Sequence, residues 1–192
     1  MSQRSQSCGE FGYAVERKVF TMRISSILKM AAAGSMAVAV FAAQGTALAQ
    51  DTVLKPPDVQ KLLPASVYYK GQSAPTQLRN SGGVRFADGA FVLATLVDTS
   101  GYASDVAARY QAYFITEVPI KVGGANLPAG VYGVGFVGGN KFVVTDVGAH
   151  ELLKVTSGED TGLKRPMPLW VDASPEGGFR LYSGRRFVTI SR

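Results

Sequence analysis

Residues 131–147 read VYGVGFVGGNKFVVTDV. Two runs rich in Val and Phe, Val131–Val137 and Lys141–Val147, flank Gly138-Gly139-Asn140. β-Branched and aromatic side chains fit a pleated, half-buried strand, and Gly with Asn supplies the positive-φ residues a tight hairpin needs. The stretch predicts two antiparallel strands. The same composition recurs outward, at Val67–Lys70, Gly89–Asp98 and Tyr110–Val118 on one side. On the other side it returns at Leu152–Thr156, Leu169–Ala173, Phe179–Tyr182 and Arg186–Ile190, with Gly, Pro, Asn or Asp between most runs. Short strands at this spacing predict an all-β fold, an antiparallel β-sandwich of about eight or nine strands, with a small closed β-barrel as the alternative. Helix enters only at Ser104–Arg109, with Ser104 as its cap, and as one turn at Asp58–Leu63.

Gly133, Gly135 and Gly138 of the opening stretch spell G-x-G-x-x-G. A dinucleotide site needs this motif between a strand and a helix, so that the helix N-terminus meets the pyrophosphate. Here the glycines lie inside a strand that runs into a hairpin. They predict a bend or the close approach of another layer, and no nucleotide is expected.

Upstream, residues 22–49 read MRISSILKMAAAGSMAVAVFAAQGTALA. Arg23 and Lys29 lead into an uncharged, Ala-rich run from Met30 to Ala43, and Ala47-Leu48-Ala49 is an A-x-A cleavage site before Gln50. The pattern predicts a secretory signal peptide that starts at Met22, with residues 1–21 as an upstream extension. It implies a periplasmic or secreted product, an extended lead-in at 50–65 and a single β domain at 66–192. Cleavage after Ala49 would discard five of the 20 basic and two of the 14 acidic residues, lowering the formal charge from +6 to +3. That balance does not point to nucleic acid, and no membrane-spanning segment is expected after cleavage. Cleavage would also discard Cys8, the one cysteine, leaving a cysteine-free mature chain with no disulfide and no thiol nucleophile.

The candidate ligand-binding segment is YYKGQSAPTQLRNSGG, residues 68–83. It reads as a long polar loop on a β scaffold, the place where binding residues concentrate. Tyr68 and Tyr69 are adjacent on a strand, so one of them should point outward. That ring, with Gln77, Arg79, Asn80 and nearby Arg85, could stack on a sugar or hold a carboxylate. Arg85, Lys141, Arg180, Arg185 and Arg186 together suggest a basic row for an anionic partner, or simply gatekeeper charges beside hydrophobic strands. Trp170 reads as core.

The only histidine is His150. A zinc site usually takes several His or Cys ligands, so no metal and no cofactor are expected. His150 with Asp146 or Glu151 could serve as a general base, although no serine sits in a G-x-S-x-G elbow. The plainer reading places His150 in the connection between two strands.

Residues 122–132, VGGANLPAGVY, resemble the G-G-x-x-L-P-[AP]-G-x-Y hairpin of some small secreted bacterial β-sandwich domains of unknown function. The resemblance implies an exported β-sandwich and brings no catalytic residues. The expectation is an exported, non-enzymatic binding or interaction module whose envelope or extracellular ligand is a sugar, an anionic small molecule or a protein. The alternative is a secreted hydrolase built on His150.

Overall fold

The computed structural model describes residues 50–192. The leader at 22–49 and the segment before it lie outside the described residues. The larger sheet contains β1 (Thr52–Leu54), β2 (Ser66–Tyr69), β3 (Gln72–Arg85), β4 (Phe91–Val97) and β5 (Ala112–Thr116). The second sheet begins with β6 (Ile120–Val122) and β7 (Ala125–Leu127), after which β8 (Gly130–Val137), β9 (Lys141–Thr145) and β10 (Glu151–Thr156) return to the first. It is completed by β11 (Gly158–Glu159), β12 (Met167–Ala173), β13 (Phe179–Gly184) and β14 (Arg186–Ser191). The larger sheet runs β1-β3-β4-β5-β8-β9-β10, with β2 folded onto β3, and the smaller runs β12-β13-β14-β6-β7, with β11 beside β14. Neighbouring strands are antiparallel throughout. Both sheets are open, so the fold is a β-sandwich and not a closed barrel.

The opening hairpin forms as its residues require. Val137 pairs with Lys141, and Gly139 and Asn140 take φ of +71° and +54° at the turn. Phe114, Val134, Phe142 and Val144 from the larger sheet pack with Val171, Leu181, Val188 and Ile190 from the smaller one. Each such fully buried side chain contributes about 1.5–3 kcal/mol through lost apolar exposure.

The outer face of the larger sheet is covered as well. The helix α1 (Pro56–Val59) and the turn after it set Val59 and Leu63 against Leu93. The helix α2 (Ser104–Arg109) and β2 build a second cluster from Val67, Tyr69, Val106 and Tyr110. Here the motif glycines find their use. A Cβ on Gly133 would lie 2.2 Å from the Tyr110 ring, and one on Gly135 would lie 2.6 Å from the Arg109 carbonyl oxygen. α2 can sit on β8 only because those positions have no side chain.

Three expectations change. There are fourteen strands among the described residues; β1, β3, β6, β7 and β11 are the additions to the nine runs read from composition. Residues 50–65 are not a lead-in, because β1 pairs with β3 and Val59 is fully buried. Ser104 is the first residue of α2 rather than its cap, and Ala103 takes the cap position without a side-chain bond.

Candidate functional site

The segment expected as a loop at 68–83 is a hairpin and a long strand. Lys70 and Gly71, both at positive φ, turn β2 into β3. β3 then pairs with β4 at Gln77↔Leu96, and next at Ser81↔Thr95. Leu78, Arg79 and Asn80 therefore have no partner on β4 and bulge from the sheet. Asn80 Nδ2 donates to Gln77 Oε1 at 3.0 Å, and Ser81 Oγ donates to the Leu78 carbonyl at 2.6 Å. These bonds hold the bulge in shape.

A second bulge lies across from it. β12 pairs with β13 at Met167↔Gly184 and then at Trp170↔Tyr182, which leaves one extra residue on β12. The two sheets meet between the bulges. A Cβ on Gly82 would lie 2.9 Å from the Val171 amide nitrogen, so only glycine lets β3 approach β12 this closely.

The bulges open a pocket of about 250 Å³. Its walls are residues 54–56, between β1 and α1; residues 79–82 of β3; and residues 167–171 of β12. The lining is mostly apolar, from Leu54, Pro56, Met167, Pro168 and Leu169 to Val171. Lys55 and Arg79, both exposed, are the charged residues that line it, and no acidic residue does. Among the described residues neither cation is within ion-pair distance of a carboxylate.

Trp170 is half-buried rather than core, and it lines this pocket. Tyr182 stacks on it from the β13 side, centroids 4.4 Å apart and planes 16° apart. The β3 wall lies on the opposite side of β12. The indole Nε1–H is buried without a hydrogen-bond partner, a state that costs about 1–3 kcal/mol. Sequence reasoning missed Trp170, Lys55 and Met167 as site residues. The signal was slight: a lone Trp two residues after Pro168, following the polar run Lys164-Arg165.

The pocket brings Arg79 and Asn80 together, with Gln77 behind Asn80. It does not include Tyr68, Tyr69 or Arg85. Tyr69 must be withdrawn from the binding set, because it is 1% exposed. Its ring stacks on Tyr110 at 3.6 Å, and its hydroxyl bonds Thr145 Oγ1 at 3.0 Å. Burial, its largest cause, raises the Tyr69 pKa. Tyr68 is the outward ring of the pair, 67% exposed, and its hydroxyl donates to the Gly71 carbonyl within its own hairpin. Arg85 pairs with Phe91, five positions along β4 from Leu96, about 16 Å at strand rise. Nor do the five basic residues form one row. Lys141 reaches Thr156 on the larger sheet, Arg180 lies over Phe187 on the smaller, and Arg186 turns to the Val137 carbonyl.

His150 lies in the connection between β9 and β10. Its Nδ1 is 2.8 Å from Asp146 Oδ2, and the His150 side chain is 79% exposed. Asp146 also accepts from the backbone N–H of Gly148 and of His150. The bond to the His150 ring, then the backbone bond, holds the Asp146 carboxyl below its ordinary pKa. Glu151 turns away to Lys154 at 4.0 Å. Among the described residues no hydroxyl is hydrogen-bonded to His150, and no three His, Cys, Asp or Glu side chains converge as metal ligands would.

A wider, more open cleft of about 530 Å³ lies beside β6 and β7. Its Arg192 is already engaged, donating to Asp88 Oδ2 at 2.6 Å and lying over Phe86. Lys121 also lines that cleft and has no carboxylate partner among the described residues, so the smaller pocket is the better candidate on its enclosure. No protein-family model, curated protein or solved structure matches the chain. No helix among the described residues is long and apolar enough to cross a membrane.

Proposed function

We propose that this chain is an exported, non-enzymatic binding module of the bacterial envelope or exterior, and that its binding site is the pocket between the β3 and β12 bulges. The observation that carries the reading is the pair of facing bulges. β-Bulges are over-represented where a sheet re-aims side chains at a site. Here both serve one partly enclosed space, with an apolar wall and two cations that have no carboxylate partner among the described residues. Three separate parts of the chain supply it, a convergence that plain packing of two sheets does not need. Export rests on the leader at residues 22–49.

The test combines the two halves. Full-length protein is expressed in a bacterium, and the periplasm and medium are assayed for a product that begins at Gln50. The purified protein is then mixed with envelope polysaccharide, lipid and protein fractions. Arg79→Ala with Asn80→Ala should weaken retention by the fraction that holds the native protein. Unchanged binding to every fraction removes this pocket as the site.

The hydrolase reading keeps one observation, the 2.8 Å contact between His150 and Asp146. An oriented histidine still needs a nucleophile within hydrogen-bond reach, and the exposed connection offers none. Hydrolysis of a chromogenic ester that disappears in His150→Gln would restore that reading.

A further inference from the structure

Resting on the pocket reading above, we infer the class of its ligand: a small organic anion with one acid group on a flat apolar body. The charge comes first. Lys55 and Arg79 line the pocket from two different walls, and neither has a carboxylate partner among the described residues. Both residues are exposed at the pocket, so each can turn toward an anion seated there without breaking an ion pair. Arg79 offers a planar fork of donors suited to a carboxylate or phosphate, and Lys55 adds a point charge.

The shape comes second. A fully solvated anion would need only the cations, yet most of this lining is apolar. Trp170 is braced on one side by Tyr182, so its ring is held in place before any ligand arrives. A fixed indole face costs little ordering entropy when a flat ring lies on it. Met167 is 47% exposed at the rim, and its flexible thioether adapts to an apolar edge. The narrow volume sets the size at about one small ring system, below the range of drug-sized pockets.

The experiment uses the intact protein and three probes. Trp170 is the only tryptophan in the chain, so its indole N–H gives one resolved signal in a nitrogen–proton correlation spectrum. Cinnamate carries ring and charge, cinnamamide the ring alone, and acetate the charge alone. Cinnamate should shift the indole signal and bind about tenfold tighter than cinnamamide, the scale of one charge-assisted hydrogen bond. Arg79→Gln, with its thermal unfolding checked against the parent, should remove most of that tenfold advantage, weakening cinnamate more than cinnamamide. Equal binding of cinnamate and cinnamamide would overturn the anionic class while leaving the pocket standing. Acetate binding as tightly as cinnamate would overturn the flat body. No movement of the indole signal with any probe would overturn both the ligand class and the pocket.

Discussion

Two sites on this sandwich differ in how they are made. The pocket at Arg79 draws its walls from residues 54–56, 79–82 and 167–171, which meet only through folding. The connection at His150 is local: Asp146 ties Gly148 and His150 within five residues. The first is partly enclosed, and its cations are unpaired. The second is exposed, and its polar groups already satisfy each other. A closed local set of hydrogen bonds shapes a turn, and it leaves nothing for a ligand to complete. Groups that converge from a distance and remain unpaired are the ones available to a ligand.

The strongest way to break this contrast is through the core beneath the connection. Ala149 packs on the cluster that contains Tyr69 and Tyr110, and the Lys70 amide donates to the Val147 carbonyl at 3.1 Å. Tyr69→Ala should destabilise the fold by about 3–5 kcal/mol, the range for a large core aromatic. Chemical denaturation measures this. If the two sites are independent, the folded fraction of that variant still binds cinnamate with parental affinity. Tyr68→Ala, one residue away, should stay within about 0.5 kcal/mol of the parent, as exposed positions do.

Next in size is the meeting of the sheets. Gly82→Val places side-chain atoms against the backbone of β12 and should cost about 1–3 kcal/mol by overpacking. It should also abolish the response of Trp170 to cinnamate. Gly148→Ala meets the His150 ring at 3.0 Å and Asp146 Oδ1 at 3.2 Å, side-chain atoms rather than backbone, and the exposed ring can move. Its cost should remain below about 0.5 kcal/mol. Equal costs for the two glycines would erase the distinction between a convergent and a local site.

The sequence carried the architecture further than the site. The nine apolar runs are strands because Val, Ile, Phe and Tyr dominate them, and packing agreed with propensity. β3 escaped because its first half, Gln72–Arg79, holds Pro75 and polar or small residues where a strand usually shows alternating apolar ones. It needs few apolar residues there, since only Ala74 is buried before Ser81. β1, β6, β7 and β11 are two or three residues long, too short for a period of two to register. Arg79 and Asn80 could be singled out as polar side chains in an unusual place. Lys55 and Trp170 could not be joined to them, because the pairing of Leu54 with Gly83 and the approach of Gly82 to Val171 bring those segments together only in the fold. The close-approach reading of Gly133 and Gly135 succeeded for the opposite reason: a strand context alone excludes a phosphate loop.

The smallest expected effect separates the sites by pH. Hydrogen bonds from the His150 ring and backbone lower the Asp146 pKa. A carboxyl whose folded pKa is depressed contributes stability above its unfolded value, near 3.9, and loses it as pH falls through the folded value. The Asp146 side chain is only about a third exposed, at 36%, but its hydrogen bonds all lie within its own turn, so the effect is confined there. Acidification below pH 4 should release the Gly148 and His150 amides, seen as faster hydrogen exchange, before the sandwich unfolds. Asp146→Asn should remove that acid step while leaving the thermal midpoint near neutral pH almost unchanged. The pocket contains no carboxylate, so the Trp170 indole signal should not move through the same range. A shift of that signal in step with the amides would show the two sites to be coupled, and the contrast between them would fail.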